Sequence, residues 1–335
     1  GGAGQGGAIF NSGTITSLTN STLNANTTTG GMGGTGGIGG NGVVLTASGT
    51  GGTGGAGGAG QGGGIFSSGT TFSLTNSTLN ANTITGGTGG TGGRGGRGNT
   101  GEGRSGGTGG RGGNGGTGQG GGVFINAGTS PQIIYATISS NAVTGGALGT
   151  GGLGGPNSNN SGTGTAGLNG AVGTTSGAGI NDLSSTTSIT LRNTIIGNNT
   201  GANDFGGTQP TAANSTNNLI TSGTLTGTNI VSSNTTALNL GLLQSNLGPT
   251  STQALLLNPQ SSAINAAANI AGTTTDQRGF TRPSATFISI GAFQYYAPPT
   301  VVSVTPNSGS PNGGTSITIT GTNFVAGPTT VTING

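Results

Sequence analysis

Short stretches in which apolar and polar positions alternate recur along residues 1–200, separated by Gly, Asn and Ser. The phrase GQGGAIFNSGTITSLTNSTLNANT at residues 4–27 returns at residues 60–83 as GQGGGIFSSGTTFSLTNSTLNANT, and looser copies span residues 118–144 and 177–200. Alternation with a period of two, rich in β-branched residues and bounded by turn formers, predicts short β-strands. The copies share a first apolar position at Ile9, Ile65, Val123 and Ile180 and a second at Leu23, Leu79, Ile138 and Ile195.

Both apolar positions return every 56 to 59 residues, a spacing typical of a stacked repeat. One copy carries too few apolar residues to bury a core, so its strands are expected to lie on those of the next copy. The pattern therefore predicts an all-β solenoid, a parallel β-helix with one coil per copy. We expect Leu23 and its equivalents to stack as an internal aliphatic ladder.

An Asn stands three positions after each residue of the second apolar set, at Asn26, Asn82, Asn141 and Asn198. Four in register predict an Asn ladder at a corner of the coil, in which each side-chain amide bonds to the next coil. The alternative is that these residues only mark turns.

Between the strand phrases the sequence changes to a period of three, as in GGMGGTGGIGG at residues 30–40 and GGTGGTGGRGGRG at residues 86–98. Collagen is excluded because its triplet needs abundant Pro, and Pro is 11 of 335 residues. An extended helix with three residues per turn fits this period. We predict arms of polyglycine II helix that run out and back from each coil with the X residues of GGX outward. The alternative is a mobile linker.

The composition changes after residue 210, which sets the expected domain boundaries. Coils with arms occupy residues 1–210, with repeats near 4–59, 60–117, 118–176 and 177–210. Residues 211–297 are expected to form the final coils and a segment (237–297) that closes the open end of the solenoid. Alternating strands at residues 298–335 predict a partial β module. Because the chain opens inside a repeat without Met, we expect it to be a piece of a longer polypeptide.

Charged residues are few, 7 Arg and 4 acids, and Lys, His, Cys and Trp do not occur. Most nucleophiles, general bases and metal ligands are thereby excluded. The carboxylates Glu102, Asp182, Asp204 and Asp276 are spread over different parts of the repeat. The sequence therefore predicts no enzyme, no cofactor and no metal site. We expect Asp276, Arg278 and Arg282 to form a structural ion-pair network.

Arginines of the arms, at Arg94, Arg97, Arg104 and Arg111, stand in an RGG-like context. Binding of nucleic acid is not expected, because no aromatic residues interleave for base stacking and the net charge is only +3. Contacts with an anionic glycan or a neighbouring subunit are the favoured role. No apolar stretch is long enough for a transmembrane helix.

Two segments resemble known families. TTTDQRGFTRPSATFISIGAFQ at residues 273–294, with LGLLQSNLGPTSTQALLLNPQSSAIN at residues 240–265, resembles the choice-of-anchor Q domain of secreted bacterial proteins. PPTVVSVTPNSGSPNGGTSITITGTNF at residues 298–324 is similar to the first strands of an IPT/TIG immunoglobulin-like domain. The first resemblance implies a right-handed β-helix, and both imply display on a bacterial cell surface and no reaction.

The function expected from the sequence is that of an extracellular structural or adhesive protein. Its C-terminal strands could complete a neighbouring copy by strand addition and build a filament. The expected partners are copies of itself and surface glycans. The alternative function is a polysaccharide-binding or lyase-like β-helix.

Overall fold

The computed structural model describes residues 1–13, 17–43, 46–69, 72–99, 105–126, 131–157, 163–184, 189–231, 238–255, 260–284, 286–325 and 329–332. Each copy of the strand phrase forms one coil, and the glycine-rich arms connect successive coils. The first coil (residues 4–29) contains β1 (Gly4–Gln5), β2 (Ile9–Asn11), β3 (Leu18–Thr19), β4 (Thr22–Asn24) and β5 (Thr27–Thr29). The second coil (residues 60–85) contains β6 (Gly60–Gln61), β7 (Ile65–Ser67), β8 (Ser73–Thr75), β9 (Thr78–Asn80) and β10 (Thr83–Thr85).

The third and fourth coils repeat this order, and a shorter coil follows them. The third coil (residues 118–144) contains β11 (Gly118–Gln119), β12 (Val123–Ile125), β13 (Gln132–Ile134), β14 (Thr137–Ser139) and β15 (Ala142–Thr144). The fourth coil (residues 175–200) contains β16 (Thr175–Ser176), β17 (Ile180–Asp182), β18 (Thr190–Arg192) and β19 (Ile195–Gly197). The last coil contains β20 (Phe205–Gly207), a 3-10 helix (Ala212–Asn214), β21 (Ser215–Ile220) and β22 (Thr228–Val231).

Equivalent strands of successive coils pair in parallel, as a β-helix requires. The sheets run β1-β6-β11-β16, β2-β7-β12-β17-β20 and β5-β10-β15, and both β3-β8-β13-β18 and β4-β9-β14-β19 end on β21. Ile65 lies opposite Val123 and Val123 opposite Ile180, in the register given by the repeat. The predicted parallel β-helix is confirmed.

The internal aliphatic ladder differs from the prediction by one residue in the fourth coil. Leu23, Leu79 and Ile138 lie in register, but Ile138 is opposite Ile196, whereas Ile195 is opposite Thr137. Since side chains alternate along a strand, a shift of one residue changes the face. Ile196 therefore packs in the interior of the β-helix, and Ile195 packs outside it in a second apolar cluster.

The Asn ladder is present and shifts by the same residue. The side-chain oxygen of Asn82 accepts from the amide of Asn26 at 2.8 Å, and that of Asn141 accepts from Asn82 at 2.9 Å. The next member is Asn199, which accepts from the Asn141 amide at 3.0 Å. Asn198, the residue expected there, instead adopts the left-handed conformation (φ 59°), like Ser140 and the other residues before the ladder.

The described residues of the stretch 238–297 lie along the side of the β-helix, where they contact each of the first four coils, and this differs from the predicted terminal cap. β23 (Leu240–Gln244) and β24 (Thr252–Leu255) pair antiparallel, and an apolar cluster joins Leu255, Ile264 and Ile290 to the outward-facing Ile195 and Leu219. Outward apolar residues of the last coils thus anchor this flank segment (residues 238–297). The chain then forms an antiparallel hairpin, β25 (Thr300–Thr305) and β26 (Thr318–Thr322).

Candidate functional site: the arms and the flank segment

Each glycine-rich arm leaves the last strand of one coil and returns to the first strand of the next. Arm 1 spans residues 30–59, arm 2 residues 86–117 and arm 3 residues 145–174, and each has an outbound and a return leg. In the triplet GGX we call the glycines first and second. Because the coils stack in register, equivalent legs lie side by side.

Legs of the same direction are joined by the amide of the first glycine, which donates to the carbonyl of the X residue in the next arm. Among the outbound legs, Gly36 donates to Thr91 and Gly92 to Thr150, both at 2.8 Å. Among the return legs, Gly54 donates to Arg111 at 2.8 Å. The bond recurs at every triplet, so the period of three in the sequence is the period of the hydrogen bonds.

Legs of opposite direction are joined by the second glycines, whose amides and carbonyls form rows across all arms. In one row, Gly52 donates to Gly37, Gly93 to Gly52, Gly110 to Gly93, Gly152 to Gly110 and Gly167 to Gly152, at 2.7 or 2.8 Å. Equivalent rows begin at Gly164, Gly170 and Gly173. The arms are therefore one continuous lattice of backbone hydrogen bonds, which we call the arm lattice.

Glycine is required inside this lattice because neighbouring backbones touch. A Cβ atom at Gly93 would stand 1.9 Å from the Gly37 carbonyl oxygen, and one at Gly54 would stand 2.0 Å from the Gly90 oxygen. Real Cβ atoms do not approach so closely. X residues point outward, so Met32, Ile38 and Leu153 are exposed.

The arm arginines occupy exposed X positions where the structure describes them. Arg94 and Arg97 stand on the outbound leg of arm 2 and Arg111 on its return leg. Arg94 and Arg97 line a shallow pocket together with Asn41 of arm 1 and Pro156 of arm 3. Arg104 and Glu102 lie outside the described residues. The pocket brings two cationic side chains together on one face of the arm lattice.

The flank segment carries the Asp276, Arg278 and Arg282 group. Asp276 is buried and its carboxylate accepts from the Arg278 guanidinium at 2.6 and 2.9 Å and from the Gln294 amide at 3.0 Å. The Arg278 guanidinium also lies 3.7 Å from the centroid of the Phe293 ring. Asp276 and Gln294 are the two ends of the stretch DQRGFTRPSATFISIGAFQ (residues 276–294), and these bonds hold the two ends together.

Arg282 makes different contacts from those predicted. Its guanidinium donates to the carbonyls of Gly291 at 2.8 Å and Ser289 at 3.1 Å and lies 4.0 Å from the ring centroid of Tyr135. Burial lowers the pKa of Arg282 to about 10, and it raises the pKa of Tyr135. Arg282 thus connects the flank segment to the third coil through the ring of Tyr135, and its two carbonyl partners lie within the flank segment itself.

Gln277, which the sequence did not single out, joins the flank segment to the first two coils. Its side-chain nitrogen donates to the Thr22 hydroxyl at 2.8 Å, and its oxygen accepts from the Thr78 hydroxyl at 2.7 Å. A single Gln within DQRG carries no local signal for such a contact, since its partners lie far away in the sequence.

The acidic residues within the described ranges are all buried. Asp204 accepts from the backbone amides of Thr221 and Ser222 at 2.9 and 2.7 Å, and Asp276 is held by Arg278. Burial raises the pKa of Asp182, which accepts from the Ser184 amide. Among the described residues, no group of three or more acids is arranged to hold a metal ion.

Comparison with known proteins identifies the C-terminal hairpin. Residues 299–335 match the IPT/TIG domain family, whose members are found in cell-surface and extracellular proteins. Neither the curated proteins nor the solved structures give a match. In the part of the chain that the structure describes, no helix has the length and apolarity needed to cross a membrane.

Proposed function

We propose that this chain is a rigid structural element of an extracellular, adhesive bacterial surface protein, whose stiffness comes from the arm lattice. The continuous rows of second-glycine hydrogen bonds carry this proposal. A flexible linker would not need its glycines in register with those of the other arms, because it forms no hydrogen bonds with them. Such a lattice instead holds the arms in a fixed position relative to one another, along one side of the β-helix.

We also propose that the legs are polyglycine II helices. In this conformation a helix has three residues per turn and no internal hydrogen bonds, so its amides bond to neighbouring helices. Within each leg, the first-glycine amides recur at every third residue and donate to a neighbouring arm, as in the pair Gly36 to Thr91. The second-glycine amides recur in the same way and donate to legs of opposite direction, as in the pair Gly52 to Gly37. With a rise of about 3.1 Å per residue, a leg of 12 residues would extend about 40 Å from the coil.

An extracellular location is supported by the IPT/TIG match and by the composition. Surface exposure of Ile38 and Leu153 beside Arg94 and Arg97 gives the outbound face of the arms a mixed apolar and cationic character. Such a face suits contact with an anionic glycan or another surface protein. No reaction is proposed, because Asp182, Asp204 and Asp276 are buried in structural hydrogen bonds.

Filament formation through the C-terminal strands is a second part of the proposal. β25 is exposed along its whole length, and Val302 is 74% exposed. Apolar residues on a strand paired on one side favour the addition of a further strand. Electron microscopy and sedimentation of the protein are expected to show head-to-tail oligomers. Monomers at all concentrations would overturn this part.

Hydrogen exchange tests the structural role directly. In a protein labelled with ¹⁵N-glycine, the amides of Gly90, Gly93 and Gly110 should exchange far more slowly than glycines of a flexible linker. Uniformly fast exchange along the arms would contradict a rigid lattice.

Location and the enzymatic alternative need separate measurements. An antibody against the chain should label intact cells of the organism that carries it. Incubation with polysaccharides should give no turnover, whereas glycan arrays should show binding that depends on Arg94 and Arg97. Turnover of any polysaccharide would favour the lyase-like alternative instead.

A further inference from the structure

Three Asn–Gly pairs stand in the glycine-rich arms, at residues 41–42, 114–115 and 169–170. Asn–Gly is the dipeptide in which deamidation is easiest, because Gly lets its backbone nitrogen approach the Asn side chain without steric hindrance. The Gly nitrogen attacks Cγ of Asn, an N–Cγ bond forms and the Cγ–Nδ2 bond breaks. The leaving Nδ2 group takes the amide proton of the Gly and departs as ammonia. Water then opens the resulting succinimide to Asp or isoaspartate.

The arm lattice holds both reacting groups of these pairs in hydrogen bonds. The Gly115 amide donates to the Ala171 carbonyl at 2.8 Å, and the Asn114 side-chain oxygen accepts from the Ala171 amide at 2.9 Å. The pair at residues 41–42 holds the carbonyl and the amide of Arg97 in the same way, at 2.9 and 3.0 Å. In the reaction the Gly nitrogen loses its proton and the Asn side chain turns toward it, so both bonds must break first.

The third pair lies on the return leg of arm 3 and is held within its own arm. The Asn169 side-chain oxygen accepts from the Gly151 amide, and the Gly170 amide donates to the Gly149 carbonyl, both at 2.9 Å. Gly149 and Gly151 belong to the outbound leg of arm 3. The two groups of this pair are therefore released when the return leg separates from the outbound leg.

The return leg of arm 3 has fewer hydrogen bonds than the return leg of arm 2. From the fourth coil the chain enters the last coil through residues 201–204 without a further arm. Exposed residues with side chains replace the first glycine in this leg, namely Thr163, Ala166, Asn169 and Val172. Their backbone amides donate to no described residue, whereas Gly112 of arm 2 donates to Leu168 at 2.9 Å. A leg with fewer bonds opens locally at a lower free energy.

We infer, on the basis of the proposed arm lattice, that the Asn–Gly pairs of the arms are deamidation sites that the lattice keeps unreactive, and that Asn169 reacts before Asn114. When the return leg of arm 3 opens, Gly113 still bonds to Gly90 and Gly149, so the backbone beside Asn114 stays in the lattice. Isoaspartate at Asn169 lengthens the backbone by one carbon atom and moves the following glycines out of register. Deamidation thus makes the opening of this leg irreversible.

Peptide mapping by mass spectrometry measures the reaction at each pair after incubation of the whole protein at mildly alkaline pH. In guanidinium chloride the three pairs should deamidate at similar rates, since Gly follows Asn in each. In the folded protein each pair should react at least about tenfold more slowly, because hydrogen bonds must break first. An unreactive unfolded chain, equal rates in the folded and unfolded protein, or faster reaction at Asn114 than at Asn169 would each overturn the inference.

Two variants in the outbound leg of arm 3 test whether the lattice provides the protection. A Cβ atom at Gly149 would stand 2.0 Å from the Gly90 carbonyl oxygen, so Gly149→Ala disturbs the leg that holds Gly170. This variant should speed deamidation at Asn169 severalfold. Thr150→Ala shortens an exposed side chain beside it and should leave the rate unchanged. Equal rates in the two variants would show that the lattice does not protect Asn169.

Hydrogen exchange in the same sample separates failure of this inference from failure of the proposed function. Slow exchange at Gly90 and Gly110 together with rapid deamidation at Asn114 would refute the inference and leave the arm lattice intact. Fast exchange at Gly90 and Gly110 would refute the arm lattice itself.

Discussion

The side-chain oxygen of Gln277 accepts a 2.7 Å hydrogen bond from the hydroxyl of Thr78, which lies 199 residues earlier in the chain. Thr78 begins β9 in the second coil, and Gln277 also bonds to Thr22 in the first coil. The flank segment therefore runs back along the coils as far as the coil formed by residues 4–29. Its role is to brace the coils from the side.

Replacing Gln277 by Ala should loosen the first two coils. The Thr78 hydroxyl would lose its acceptor, whereas the Thr22 hydroxyl would keep its bond to the Ser251 carbonyl. A buried polar group without a hydrogen bond costs about 1–3 kcal/mol. Urea unfolding should show a loss of that size in the free energy of unfolding. Gln244→Ala, which truncates an exposed Gln of the same segment, serves as the control and should change little. Equal effects would show that Gln277 does not brace the coils.

A pair of variants in the fourth coil tests the corrected Asn ladder. Asn199→Ala removes the acceptor of the Asn141 backbone and side-chain amides, at 2.9 and 3.0 Å. The loss should be about 2–4 kcal/mol in the free energy of unfolding. Asn198→Gly should be nearly neutral, because Gly adopts φ 59° without strain. A larger loss for Asn198→Gly in thermal or urea unfolding would restore the register first expected.

Two equivalent glycines test the packing of the arms. Gly93→Ala places a Cβ 1.9 Å from the Gly37 carbonyl oxygen, whereas Gly37→Ala meets nothing within 4 Å. Neither residue has a positive φ in the left-handed range, so backbone strain does not separate them. Gly93→Ala should speed amide exchange in the neighbouring legs and lower the melting temperature, and Gly37→Ala should do neither. Tolerance of Ala at Gly93 would contradict close contact between the arms.

The pH dependence of stability should reflect Asp182. Burial raises the pKa of its carboxyl above the ordinary value of 3.8, so the folded state binds the proton more tightly than the unfolded chain. Stability linked to this group is then present at low pH and is lost as pH rises through the folded pKa. Asp182→Asn should therefore raise the melting temperature at pH 7, and the gain should shrink below about pH 4.

The measurement for Asp182 is a melting curve of both proteins across this pH range. The Asn side chain retains an oxygen for the Ser184 amide, which now bonds to Asp182 at 2.9 Å. A gain that is independent of pH would indicate that ionisation of Asp182 is not the cause. Asp204→Asn provides a contrast, since Asp204 accepts several hydrogen bonds and its replacement should destabilise the protein.

The coils and the arms follow from the sequence alone. The return of one phrase every 56 to 59 residues requires stacked copies, and the GGX triplet requires glycine wherever two legs meet. Both features are periodic, so each residue has equivalents that face the same surroundings. Even the exposed face of arm 3 can be read from its sequence, since the first glycines are absent there.

The frame of the fourth coil and the place of the flank segment, by contrast, follow only from the folded structure. Two adjacent Ile, Ile195 and Ile196, and two adjacent Asn, Asn198 and Asn199, fit the repeat equally well as a pattern. The pairing of Ile138 with Ile196 selects one frame, in which Ile196 packs in the interior of the β-helix and Ile195 packs against the flank segment. The flank segment has no period at all. Its position follows from contacts such as Gln277 with Thr78, which join residues far apart in the chain and leave no trace in the local sequence.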